Sequence, residues 1–236
     1  MKHDWSEAVR CGRTATLGFT LVELAIALAI IALLLTMLIV PLGTQIDQQR
    51  VAETQRQLDQ IRDAVIGFAI ATGRLPCPAT ATTPTTMAGA GTENKPAAAC
   101  GIAEGVVPWT TIGVPETDAW GRRFTYRMTM NFADDAMGGL QSSFLLTDNG
   151  DITVTNGAAN IATLVPALIV SHGKNGLGAH LSDGTQLAVG VGDELENANA
   201  NMIFVSRTNA PDFDDLLVWV SPNILKARMV AAGRLP

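Results

Sequence analysis

The sequence predicts an α+β protein in which one long N-terminal helix packs on a small antiparallel sheet and a short helix closes the chain. Three observations carry this. Residues 24–43 are uncharged and apolar, and helical periodicity continues from 47 to 72. Several short runs with strand character follow, separated by Gly, Asn and Asp. The last such run leads into Ser221-Pro222 and a final stretch ending at Gly233.

The apolar segment comes first. Twenty residues at ~1.5 Å rise per residue reach roughly 30 Å, the thickness of a bilayer core. It is apolar all round, whereas a helix on a soluble core keeps a polar face. Lys2, Arg10 and Arg13 precede it, and mixed charges from Asp47 onward follow. The positive-inside rule therefore puts the N-terminus in the cytoplasm and the rest outside. A secretory signal would have a shorter core and a small-residue cleavage site behind it. Glu23 stands at the start of this segment, where an acidic side chain needs either the headgroup region or a partner.

From 47 to 72, Val51, Leu58, Ile61, Val65 and Phe68 recur at helical spacing, with Gln, Arg and Asp between them. Gly73 and Pro76 end the pattern. The stripe calls for a sheet to cover it. Residues 79–99 are rich in Ala, Thr, Gly and Pro and read as a loop. In 124–130 the alternation places Phe124, Tyr126, Met128 and Met130 on one face. Residues 142–147 and 152–155 flank Asp148-Asn149-Gly150-Asp151, which reads as a hairpin turn. Residues 167–171, 202–206 and 216–220 supply further strands, and Ser221-Pro222 starts a helix to about residue 232.

Leu17-Gly18-Phe19-Thr20-Leu21-Val22-Glu23-Leu24 resembles the processing site of type IV prepilins and type II secretion pseudopilins. The resemblance implies a leader at 1–18, an assembly and transmembrane helix at 19–46, and an extracytoplasmic head at 47–236 that includes the helix 47–72. It also implies that prepilin peptidase cuts between Gly18 and Phe19 and methylates the new amino group. Glu23, fifth in the mature chain, would pair with the Phe19 ammonium of a neighbouring subunit, as a buried carboxylate requires. Pro41 matches the family's helix-kinking proline. The implied partners are prepilin peptidase, other subunits of the same kind and the inner membrane. The implied product is a structural subunit of a pilus or of a secretion pseudopilus. The other reading is a binding module or adhesin that uses the helix only as a tether.

With the leader removed, Cys11 goes and Cys77 and Cys100 remain, a pair suited to a disulfide in an oxidising compartment. Two further segments resemble major pseudopilins. Asp118-Ala119-Trp120-Gly121, then Tyr126, is similar to their D-x-W-G segment, and the Gly-rich stretch from Ser171 to Gly178 with the acidic run before Trp219 is similar to their calcium region. In that alignment Asn175 and Asp215 stand at ligand positions. Asn175 replaces an Asp, and an insertion separates Gly178 from Asp212. That insertion offers Asp183, Asp193, Glu194 and Glu196 as extra oxygens for a calcium ion. Asp148-Asn149-Gly150-Asp151 lacks EF-hand spacing, and Lys174 is not followed by Ser or Thr as a P-loop demands.

Composition excludes more than it selects. The net charge is −6 with no basic cluster, so nucleic acid is not indicated as a partner. His172 and His180 stand beside no cysteine, and no carboxylate pair has catalytic spacing, so the reading is not an enzyme.

Overall fold

The computed structural model describes residues 18–135 and 141–235, with 36–42 as helical backbone only. The leader before Gly18, with Cys11, lies outside the described residues. The chain divides into two units, Met1–Ile46 and Asp47–Pro236.

In the first unit the described residues are 18–46, and helix α1 begins there at Leu21 and runs to Thr72. Its apolar side chains from Phe19 to Leu35 are exposed. Such a surface is stable only against lipid or another apolar partner. Among the residues whose side chains are described, no helix is both long and apolar enough to cross a membrane. The expected span passes through 36–42, whose side chains are outside the description.

The second unit is built on a four-stranded antiparallel sheet in the order β1-β2-β5-β7: β1 (Glu104–Val106), β2 (Thr125–Met128), β5 (Ala167–Ser171) and β7 (Leu216–Val220). The lower part of α1 packs on one face of it. Leu58, Ile61, Val65 and Ala69 join Tyr126, Met128, Ile169, Val218 and Val220 in one core. Leu58, Ile61 and Val65 are positions of the expected stripe, whereas Val51 and Phe68 are only half-buried and Ala69 and Thr54 take buried places beside them. The C-terminal helix α4 (Pro222–Ala231) adds Leu225 and Met229 to the same core. The predicted long helix, sheet and closing helix are all present.

A second sheet covers the other face, with strands in the order β4 (Asn160–Val165), β3 (Ile152–Thr155), β6 (Ile203–Val205). Its Ile152, Val154, Val165 and Phe204 pack on Leu168 and Val170 of β5. β3 is antiparallel to β4 and parallel to β6. The sequence reading did not anticipate this third layer. It explains why all five residues of β5 are buried: alternation predicts one wet face, and here both faces are covered. Two one-turn helices, α2 (Trp109–Ile112) and α3 (Asp193–Glu196), lie in the connections.

The hairpin expectation needs correction. Residues 142–147 form no strand. The Asp148 carboxylate accepts the Leu145 N–H at 2.8 Å and closes a turn there. Gly150 sits under the end of β4, where a Cβ would fall 2.1 Å from the Val165 carbonyl oxygen. It is a close-approach glycine rather than a hairpin one. The hairpin lies one Asn-Gly later, at Asn156-Gly157, between β3 and β4. There Asn156 Oδ1 accepts the Ala158 and Ala159 N–H groups.

Cys77 and Cys100 are joined by a disulfide. The loop it closes is held further by Arg74, whose two terminal nitrogens each lie 2.8 Å from a Glu93 oxygen. Glu93 also accepts the Cys77 N–H. α1 stops at Gly73, which takes φ +85° and donates to the Ala69 carbonyl.

Candidate functional site

Two places answer to the functional residues expected from the sequence. The first is the start of α1. Gly18 and Phe19 precede the helix and are exposed, so the junction between them is open. Thr20 and Glu23 form a reciprocal cap. The Thr20 N–H and hydroxyl donate to Glu23 Oε2 at 3.0 and 3.1 Å, and the Glu23 N–H donates back to Thr20 Oγ1 at 3.2 Å. This is a capping box, which satisfies the first free donors of a helix. The Thr-x-x-Glu spacing is its sequence signal.

The second is an acidic cluster between the Gly-rich loop and the start of β7. Glu194, Asp214 and Asp215 each place a carboxylate oxygen within 4.8 Å of the others. Asp215 is almost fully buried. Its Oδ2 accepts from Asn197 Nδ2 at 2.8 Å, and its Oδ1 has no hydrogen-bond partner among the described residues. Asp214 Oδ1 is likewise buried and unpartnered. Burial pushes the Asp215 carboxyl up to about 8, with the Glu194 and Asp214 charges adding and Asn197 opposing. Burial, with Glu194, pushes Asp214 up as well. Three carboxylates short of cations are costly as charged groups.

Asn175 sits at the edge of this cluster. Its Nδ2 donates to Glu194 Oε1 at 2.7 Å, its oxygen accepts the Leu177 N–H at 2.9 Å, and its own N–H donates to Asp214 Oδ2 at 2.8 Å. Asn175 thus braces two acidic residues. Of the other inserted oxygens, only Glu194 joins the cluster. Asp193 pairs with Arg207, Glu196 accepts from Asn199 and Asn201, and Asp183 caps its own turn at Thr185. Asp214 and Asn197 are the residues that sequence reasoning did not single out. Asn197 also brackets the outer edge of β6, accepting the Val205 N–H and donating to the Val205 carbonyl.

The Asp118-Ala119-Trp120-Gly121 segment positions this loop. Asp118 Oδ1 accepts the N–H groups of Trp120 and Arg122, and Oδ2 accepts the Ser171 hydroxyl at 2.6 Å. Arg122 then donates to the Gly173 and Lys174 carbonyls. The two segments singled out separately in the sequence are therefore in contact. His172 follows Ser171 and is fully buried. Its Nε2 lies 2.9 Å from Thr125 Oγ1 and its Nδ1 lies 3.8 Å from Asp215 Oδ1. Burial holds its pKa down to about 4, so the ring is neutral near pH 7.

Residues 13–39 match the family model for the prokaryotic N-terminal methylation motif. This is the signature of type IV pilins and pseudopilins. No curated protein and no solved structure matches the chain.

Proposed function

We propose that this precursor, carrying the N-terminal methylation motif at 13–39, becomes a structural subunit of a type IV pilus or of a type II secretion pseudopilus. The motif carries the reading. Prepilin peptidase removes residues 1–18 and methylates Phe19. The helix 19–46 then anchors the subunit in the inner membrane, with the N-terminus cytoplasmic and the head 47–236 periplasmic. The same helix later packs among its neighbours in the filament. The uncovered apolar side chains of the first unit support this reading, since they need lipid or other helices around them. Glu23 would then meet the Phe19 ammonium of an adjacent subunit within that apolar surrounding.

The acidic cluster is proposed as a calcium site. Hard oxygen donors suit calcium, and the unpartnered buried Asp215 and Asp214 oxygens support a cation at this point. Glu194, Asp214 and Asp215 would hold it. Asn175 and Asn197 would orient the carboxylates, and the ion would tie the inserted segment to β7.

Mass spectrometry of the protein from assembled filaments tests the central reading. The expected chain begins at methylated Phe19. Recovery of an intact Met1 terminus from the assembled form would overturn it.

A further inference from the structure

A cavity of about 350 Å³ lies at the far side of the four-stranded sheet from α1. Glu104 of β1 and Thr125 of β2 are on its floor. The inserted segment forms its other wall, with His180, Gln186 and Asn199. Neither the filament reading nor the acidic cluster uses Glu104, His180 or Gln186.

Charge around Glu104 does not balance. Its Oε2 is buried and has no hydrogen-bond partner among the described residues. The nearest cation is Arg127, with Nη1 3.9 Å away. That guanidinium is shared, because its Nη2 lies 3.8 Å from Asp151 Oδ2. Arg127 Nε is itself unpartnered. One cation thus stands between two carboxylates, and one negative charge is left over. Burial responds by pushing the Glu104 carboxyl up to about 7, with Arg127 opposing.

The remaining walls favour the same kind of guest. His180 is half-buried, and burial, followed by Arg123, lowers its pKa, so the imidazole is neutral near pH 7 and does not repel a cation. Gln186 donates its Nε2 to the Gly178 carbonyl and leaves its amide oxygen as an acceptor. A bare metal ion fits less well. Among the described residues the ligand atoms of three His, Cys, Asp or Glu converge only at Glu194, Asp214 and Asp215, not around this cavity. The space is also about ten times a water's share of liquid volume, at the small end of organic-ligand pockets. An anion would meet the surplus carboxylate, and a neutral guest would leave it unpaired.

We infer that this cavity binds a small organic ammonium group, with Glu104 as its charge partner and Gln186 as a hydrogen-bond acceptor. The inference is independent of the filament role, and it would survive the loss of that role. The ammonium can belong to a free amine or to a lysine side chain of a partner.

Calorimetric titration of the full-length chain in detergent micelles tests it. The probes are n-butylamine, Nα-acetyl-lysine methylamide and, as a neutral shape control, n-butanol. Both amines are expected to bind saturably at pH 8 and n-butanol not at all. The tighter of the two amines identifies the natural source. Affinity should fall about tenfold for each pH unit below 7, because the ligand displaces a proton. Glu104→Gln should abolish binding while the melting temperature at pH 8 is no lower than that of wild type. Gln186→Leu, on the connecting segment and outside the sheet, should weaken binding several-fold with the fold intact. Equal binding of n-butanol and n-butylamine would overturn the inference. So would amine binding that is unchanged in both variants, or no saturable amine binding.

Discussion

Thr20 and Glu23 satisfy each other at the head of α1, with three reciprocal hydrogen bonds between 3.0 and 3.2 Å. The carboxylate is therefore engaged within its own chain before any neighbour arrives. Glu23→Gln separates the two roles, since Gln also closes a capping box but carries no charge. Leader removal is expected to be normal in this variant, and filament yield is expected to fall at least tenfold. Immunoblots of sheared filaments against whole cells measure both. Normal filament yield would mean that assembly does not need the charge.

Arg123 is the most tightly bound cation in the head. It is fully buried, its Nε lies 2.9 Å from Glu116 Oε1, and its terminal nitrogens donate to the Ala81, Thr83 and Ser182 carbonyls and the Thr85 hydroxyl. It also lies 4.7 Å from the centre of the Trp109 ring. Arg123→Met should lower unfolding free energy by about 3–5 kcal/mol, the usual effect of breaking a buried pair. Arg56→Ala removes an exposed pair with Glu53 and should change stability by less than ~1 kcal/mol. Urea titrations of the two variants make the comparison.

The disulfide links residues 23 apart in sequence. Chain entropy assigns such a loop about 3 kcal/mol. Replacing Cys77 and Cys100 together by Ser should lower the unfolding free energy by that amount. Arg74 and Glu93 still hold the loop's start, so the native spectrum should persist under mild conditions.

Glu104 gives a pH dependence of definite sign. The folded chain keeps this proton up to about 7, whereas the unfolded chain releases it near 4.5. Its contribution is fully present below pH 4.5 and is lost as pH rises to 7. Over that window it amounts to about 3 kcal/mol. Glu104→Gln lacks this loss. The variant's stability relative to wild type should therefore be about 3 kcal/mol more favourable at pH 8 than at pH 4.5, as read by urea titration at both.

Calcium at ~100 times its dissociation constant should add about 2.7 kcal/mol, or roughly 5–10 °C in melting temperature. Asp214→Asn should remove most of that shift, and a chelator should reverse it in the wild-type chain. Equal melting temperatures with calcium and with chelator would count against the site.

Much of this was legible in the chain. The stripe at Leu58, Ile61 and Val65 needed only helical periodicity to be assigned to a core, and those residues are fully buried. Cys77 and Cys100 could be paired once the family resemblance assigned Cys11 to a leader, and they are joined by a disulfide. Local rules failed where two local signals competed. Asn149-Gly150 and Asn156-Gly157 look alike as dipeptides, but only the second has a strand on each side of it. Gly150 is fixed instead by the passing backbone at Val165.

The sequence by itself determined the features that depend on neighbours along the chain: the N-terminal methylation motif at 13–39, the continuous apolar segment, the amphipathic stripe, the strand alternation and the closing helix. The motif rests on a family resemblance and the others on composition and period, and one segment carries each alone. Only the tertiary structure decided that a second sheet buries the other face of β5, that Glu194 rather than its acidic neighbours joins Asp214 and Asp215, and that one Arg127 is shared by Glu104 and Asp151. Each of these depends on which distant side chains meet and on how much water is left between them. Burial turns an ordinary carboxylate into one that needs a partner, and burial is a property of the packed chain.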